Sequence, residues 1–236
     1  MCCGARAWRR VMLVAGFLLM GLAAQAQEQP KQAQEQPKYE VSGFRDARFG
    51  MTEAEVRAAV KKSFAVKDTD IKTGANPTEG TALLIVRVDS LDPGPGPATI
   101  TYIFGNKSKK LIQVNVVWGE DAPNNSSDAN AIVGAGTRLE RYFQGFSWRK
   151  DTTRVGVPVG ENTVVLFAGE DEKKGAVRLL VDGIKYQVNR EGNETTSPDP
   201  KRAPKLVINY IGDRENPDIC ENRTGEILTI NPAHRF

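Results

Sequence analysis

The sequence predicts an α+β protein: two consecutive helix-plus-antiparallel-sheet units behind a signal peptide and a disordered tether. Three observations lead there. Several short runs alternate apolar and polar residues, each helix-like stretch is followed by a block of such runs, and the two helix starts, Thr52 and Asp128, lie 76 residues apart. The second strands of the two blocks begin 78 residues apart, at Ala98 and Ala176. Strands gathered in blocks after a helix favour α+β over α/β, and alternation with polar partners gives a sheet one wet face.

The first unit covers 39–119. Thr52 with Glu55 writes a capping box, and Met51 with Val56 has the spacing of a hydrophobic staple, so a helix is predicted over 52–63. Val56, Ala59, Val60 and Phe64 recur on one of its faces. Three strands follow: Thr81–Val88, Ala98–Phe104 and Leu111–Trp118. Gly105-Asn106 supplies the turn between the last two. The second unit covers 127–212. Its helix starts near Asp128 with Ile132, Gly136, Leu139 and Phe143 on one side, and strands are predicted at 163–168, 176–181, Ile184–Val188 and Lys205–Ile211. Asp182-Gly183 reads as a hairpin turn, with a bulge in one long strand as the alternative. The stretch 191–204 reads as a polar loop, and 213–236 as a partly ordered tail.

Upstream of these units the chain changes character. Arg6, Arg9 and Arg10 precede an uncharged apolar run over 11–24, which ends in Ala24-Gln25-Ala26. Basic start, apolar middle and small-residue end make 1–26 a cleavable signal peptide. The run is shorter than the roughly 20 apolar residues of a membrane span. Cys2 and Cys3 precede it, whereas a lipid-bearing cysteine follows such a run. Residues 27–38 continue a tandem heptapeptide, Gln-Ala-Gln-Glu-Gln-Pro-Lys, too polar to offset the entropy of ordering. The expected location is therefore the periplasm or the extracellular space.

Removal of the signal alters the charge. The chain has 32 Lys+Arg and 29 Asp+Glu, and the three arginines at 6, 9 and 10 account for the whole excess. A charge-balanced body lacks the basic face that nucleic-acid binding needs. It also retains a single cysteine, Cys220, in a polar setting, where an unpaired thiol and an intermolecular disulfide both remain open.

Catalytic and metal chemistry find little support. His234 is the only histidine and lies three residues from the end. One histidine and one cysteine cannot supply a standard zinc site. Asp68, Asp70 and Glu79 take positions 1, 3 and 12 of a calcium loop, but Lys72 and Thr73 stand where an oxygen ligand and a glycine belong. No metal and no cofactor is expected. The acidic run from Glu170 to Glu172 reads as a solvated hairpin tip. The binding candidates are Trp118, Trp148 and Arg149, since aromatic residues and arginine dominate interface hot spots. Closing the core is the competing role for both tryptophans.

Phe49-Gly50-Met51-Thr52 with Glu55-Val56 resembles the helix opening of the exported BamE/SmpA-type outer-membrane-assembly proteins, and the tandem plan is similar to the beta-lactamase inhibitor protein fold. That resemblance implies a protein that binds other proteins without catalysis, and it carries no specific binding residue to this chain. The resulting expectation is an exported, non-catalytic protein-binding or envelope assembly-accessory module with an envelope or secreted partner. The alternatives are a periplasmic hydrolase using carboxylates and a structural envelope protein dimerising through Cys220.

Overall fold

A computed structural model describes residues 36–119, 128–188, 194–199 and 201–220. The signal segment 1–26, the tether through residue 35, and His234 lie outside the described residues. The chain runs β1 (Gly43–Phe44), β2 (Ala47–Arg48), α1 (Glu53–Phe64), a 3-10 turn (Asp68–Asp70), β3 (Ile71–Asn76), β4 (Thr81–Val88), β5 (Ala98–Phe104) and β6 (Leu111–Trp118). It continues through α2 (Ala129–Gln144), β7 (Arg154–Val159), β8 (Thr163–Glu170), β9 (Ala176–Asp182), β10 (Ile184–Val188), β11 (Glu194–Pro198) and β12 (Lys205–Ile211).

The local chemistry read from the sequence places α1. Thr52 is the N-cap, its hydroxyl accepts from Glu55 N, and the Glu55 carboxylate accepts from Thr52 N at 2.7 Å. Asp128 caps α2 by accepting from Asn130 N at 2.9 Å.

The predicted fold class is overturned. The protein is mostly β, with one eight-stranded antiparallel sheet in the order β3-β4-β5-β6-β12-β9-β8-β7 and two short two-stranded ribbons, β1-β2 and β10-β11. It is not two helix-plus-sheet units. The reason lies in β12, which closes the second strand block in sequence but bonds on one side to β6 and on the other to β9. An open sheet edge is a row of unpaired N–H and C=O groups that takes any strand of fitting register, and β12 satisfies two such edges at once. Alternation fixes which face each strand shows but not its neighbours.

Asp182-Gly183 is likewise corrected. Strands β9 and β10 do not pair: β10 pairs with β11 across Ile184↔Pro198 to Val188↔Glu194. Gly183, at φ 78°, is where the chain leaves the large sheet. Strand β11 forms inside the stretch read as a loop. The sequence reading also lacked β3 and the edge strand β7, whose residues are mostly exposed and carry little apolar alternation.

Register lays the core out in rows across the sheet. One row is Val86, Ile100, Val116, Ile208, Leu179 and Phe167. A second is Leu84, Tyr102, Val114, Tyr210 and Val177. All belong to a single hydrophobic cluster that also holds Val56, Ala59 and Val60 of α1 and Ile132, Leu139 and Phe143 of α2. Phe143 stacks on Phe167 with ring centroids 5.5 Å apart.

Close approach of α2 to the sheet depends on Gly136. A Cβ there would lie 2.6 Å from Leu166 Cδ1, 3.3 Å from Leu206 Cδ1 and 3.4 Å from Val181 Cγ2. The nearest atom ends a flexible side chain, so Gly136→Ala is expected to be near neutral, its helix propensity gain of about 1 kcal/mol offsetting the crowding. Gly136→Val is expected to destabilise by roughly 1–3 kcal/mol through overpacking. Urea unfolding of the two variants checks the difference.

Candidate binding cavity

The sheet's other face carries a polar row, Thr101–Asn115–Asn209–Arg178, in direct register across β5, β6, β12 and β9. Three of its members bond in sequence. Arg178 Nε and Nη2 donate to Asn209 Oδ1 at 3.2 and 3.0 Å, and Asn209 Nδ2 donates to Asn115 Oδ1 at 2.8 Å. Gln113 Nε2 donates to the same Asn115 oxygen at 2.7 Å. Asn209 is fully buried, and Arg178 and Gln113 are only 8% and 6% exposed. Burial first, and then nearby Arg214, pull the Arg178 guanidinium down to about 10.

Arg178 and Gln113 line a cavity of about 710 Å³. Its apolar walls include Ile103, Val157, Val165, Ala168, Ile211 and Ile219. Segment 213–219 forms part of the wall as a strap. Asp218 ties one end to the β5–β6 turn by accepting from Lys107 N at 2.9 Å and Ser108 N at 2.8 Å. Burial raises the Asp218 carboxyl, but the hydrogen bonds from Ser108 and the two backbone N–H groups leave it below its ordinary value. At the same end Cys220 N donates to Glu79 O at 2.7 Å, and at the other end Arg214 N donates to Lys174 O at 3.1 Å.

Four acids of the lining are committed to structure. Both Glu170 oxygens are taken, one by Arg149 and the other by Arg214. Glu215 bonds Lys174 at 2.6 Å and Arg149 at 3.0 Å, Asp213 caps the turn through Glu215 N and Asn216 N, and Asp218 holds the strap. Glu79 differs: burial raises its carboxyl, against a smaller opposing effect of Asn76.

Glu215 makes the strap acid-sensitive. Lys174, then Arg149, hold its carboxyl below the ordinary value of 4.5. A depressed folded value means the contribution is present above the ordinary glutamate range and disappears as pH falls through the lowered value. The urea midpoint is expected to drop between about pH 5 and pH 3, less steeply in Glu215→Gln. Equal slopes in the two proteins count against this role.

The candidates from the sequence scatter. Trp118 is 1% exposed on the helix side of β6, and its indole N–H donates to Leu91 O at 3.0 Å. Trp148 is partly buried, donates to Phe143 O at 2.8 Å and stacks on Tyr39 at 4.8 Å. Arg149 stands beside the cavity through Glu170 and Glu215. Cys220 is a free, partly buried thiol at the end of the strap. The acidic run is a hairpin tip, but Glu170 and Asp171 are buried rather than solvated, at 5% and 3% exposure.

No known protein family, curated protein or solved structure matches this chain. Among the described residues there is no group of three or more His, Cys, Asp or Glu able to hold a metal, and no helix is long and apolar enough to cross a membrane.

The residues that build the cavity were missed because Gln113 and Asn115 read as ordinary wet-face positions. One signal was present: Arg178 and Asn209 each interrupt an otherwise apolar strand. A charge or amide inside such a run demands a buried partner, and these two partner each other.

Proposed function

We propose that this chain is an exported, non-catalytic binding module, and that its partner is engaged at the cavity on the sheet face opposite the helices. The observation that carries the reading is the commitment of four of the six lining acids, Glu170, Asp213, Glu215 and Asp218, to holding the walls, with Glu79 and Asp151 as the other two. What faces the space is mainly apolar side chains with a few fixed polar groups, the usual make-up of a ligand site. The volume of about 710 Å³ falls in the size range of such sites.

The test places a photo-crosslinking phenylalanine analogue at Val157, on edge strand β7 at the cavity wall, and a control at Arg57 on α1. Irradiation of cells that naturally produce the chain is expected to give a discrete adduct from Val157 and none from Arg57. Intact-mass analysis of the same material is expected to show a chain beginning near Gln27 outside the cytosol. Equal yields at the two positions overturn the binding reading, and a cytosolic chain still starting at Met1 overturns export.

A carboxylate hydrolase has one observation in its favour, the raised Glu79 carboxyl at the cavity wall. A panel of ester and glycoside substrates separates the two readings: turnover abolished by Glu79→Gln supports the enzyme.

A further inference from the structure

We infer that the cavity holds an uncharged amphiphile with a hydrogen-bond-donating head of the alcohol type, the head on Gln113 Oε1 and the hydrocarbon body against Ile103, Val165, Ile211 and Ile219. The inference rests on the binding-module reading and adds the chemistry of what is bound.

A chain of amides fixes which way Gln113 turns. A guanidinium has donors and no acceptor, so the bonds from Arg178 oblige Asn209 to turn its oxygen toward β9. The Asn209 nitrogen then faces Asn115 and donates to its Oδ1 at 2.8 Å. The same oxygen takes Gln113 Nε2 at 2.7 Å, so the nitrogen of the Gln113 amide is spent inside the relay. Oε1 is left as the outward arm, and among the described residues no group donates to it. Gln113 is only 6% exposed and lines the cavity. Polar atoms at this depth are nearly always hydrogen-bonded, and a donor on the ligand supplies the missing partner. Donation by Gln113 Nε2 also strengthens Oε1 as an acceptor. The relay uses only the two bonds that Arg178 gives to Asn209.

The same oxygen selects the class of head. A carboxylate or phosphate dianion has no proton to give it and meets it as a repelling acceptor. A cationic head meets Arg178 at the other end of the relay, and Arg214, whose charge adds to burial in lowering the Arg178 guanidinium. The acids that could offset those cations are already engaged, Glu170 by Arg149 and Arg214, and Glu215 by Arg149 and Lys174. Burial pushes Glu79 toward its uncharged form. A neutral hydroxyl satisfies Oε1 and leaves no unpaired charge. The body follows from register: Ile103 on β5 and Ile211 on β12 flank Gln113 directly, one on each side. Val165 and Ile219 continue that apolar lining.

The test is calorimetric titration of the full mature chain at pH 8 with four probes of similar length. Decanol is expected to bind about tenfold tighter than its isomer methyl nonyl ether, which accepts but cannot donate, as one buried neutral hydrogen bond dictates. Decanoate and decylammonium are both ionised at this pH, and each is expected to bind at least about tenfold more weakly than decanol. Gln113→Met is expected to erase the difference between alcohol and ether while leaving the ether within about twofold. Asn115 Oδ1 keeps its Asn209 donor in that variant, and circular dichroism confirms folding. The wild-type ratios decide alone if the variant does not fold. Equal wild-type affinities for decanol and the ether overturn the donor head, and a folded Gln113→Met protein that still prefers decanol overturns its place on Oε1. Either ion binding as tightly as decanol overturns the neutral class. Absence of binding by all four probes overturns the ligand assignment, and the Val157 crosslink judges the module separately.

Discussion

Replacing Trp118 with alanine is expected to destabilise the protein by about 3–5 kcal/mol, the usual cost of emptying a large aromatic site in a core. The indole is 1% exposed, faces Ala98 on β5 and Leu206 on β12, and donates to Leu91 O. It is also hemmed in by the 91–96 loop: a Cβ on Gly94 would fall 2.0 Å from the ring nitrogen. Truncation therefore opens a cavity and removes one of two donors from Leu91 O, which keeps Gly94 N at 3.0 Å. Trp118→Phe keeps most of the volume and loses the hydrogen bond, so it is expected to lie between the two. Urea unfolding checks both, and an alanine variant within 1 kcal/mol of wild type would move Trp118 out of the core role.

Asp171→Ala is expected to cost a comparable roughly 3–5 kcal/mol, by a different route. The Asp171 carboxylate accepts three backbone N–H groups: Val41 at 2.7 Å, and Lys173 and Gly175 at 2.8 Å each. Each buried donor left without an acceptor costs about 1–3 kcal/mol. Asp171→Asn keeps one acceptor oxygen and is expected to recover part of the loss. The Val41 bond joins the N-terminal arm to the β8–β9 turn, so the alanine variant is also expected to become sensitive to protease cleavage near residue 41. Retention of wild-type protease resistance would show that the arm is held mainly by Tyr39 and its aromatic neighbours Phe143, Phe146 and Trp148.

How far the sequence foretold this protein depends on the range of the interaction. Thr52 with Glu55, Asp128, and the alternation of Ile100, Tyr102 and Phe104 are local, and the elements they announce are present. Partner choice is not local. Nothing in Lys205–Ile211 says that its neighbours are residues 113–118 on one side and 176–182 on the other, and on that choice the fold class turned. The cavity is non-local for the same reason: Gln113, Asn115, Arg178 and Asn209 come from three strands. Asp171 shows a third limit. Its acidic neighbours suggest water, but it is 3% exposed and bonds the returning arm at Val41 as well as its own turn.

Strand β12 sits in the middle of the sheet but near the end of the described chain. A polypeptide emerging from the ribosome N-terminus first holds two incomplete half-sheets until residues 205–211 arrive. Until then the open sides of β6 and β9 are both sticky, and a chain cut short before residue 205 keeps them so. Closure of the sheet thus waits on residues 205–211, and fragments that stop before them are poised to aggregate rather than to persist as half-proteins.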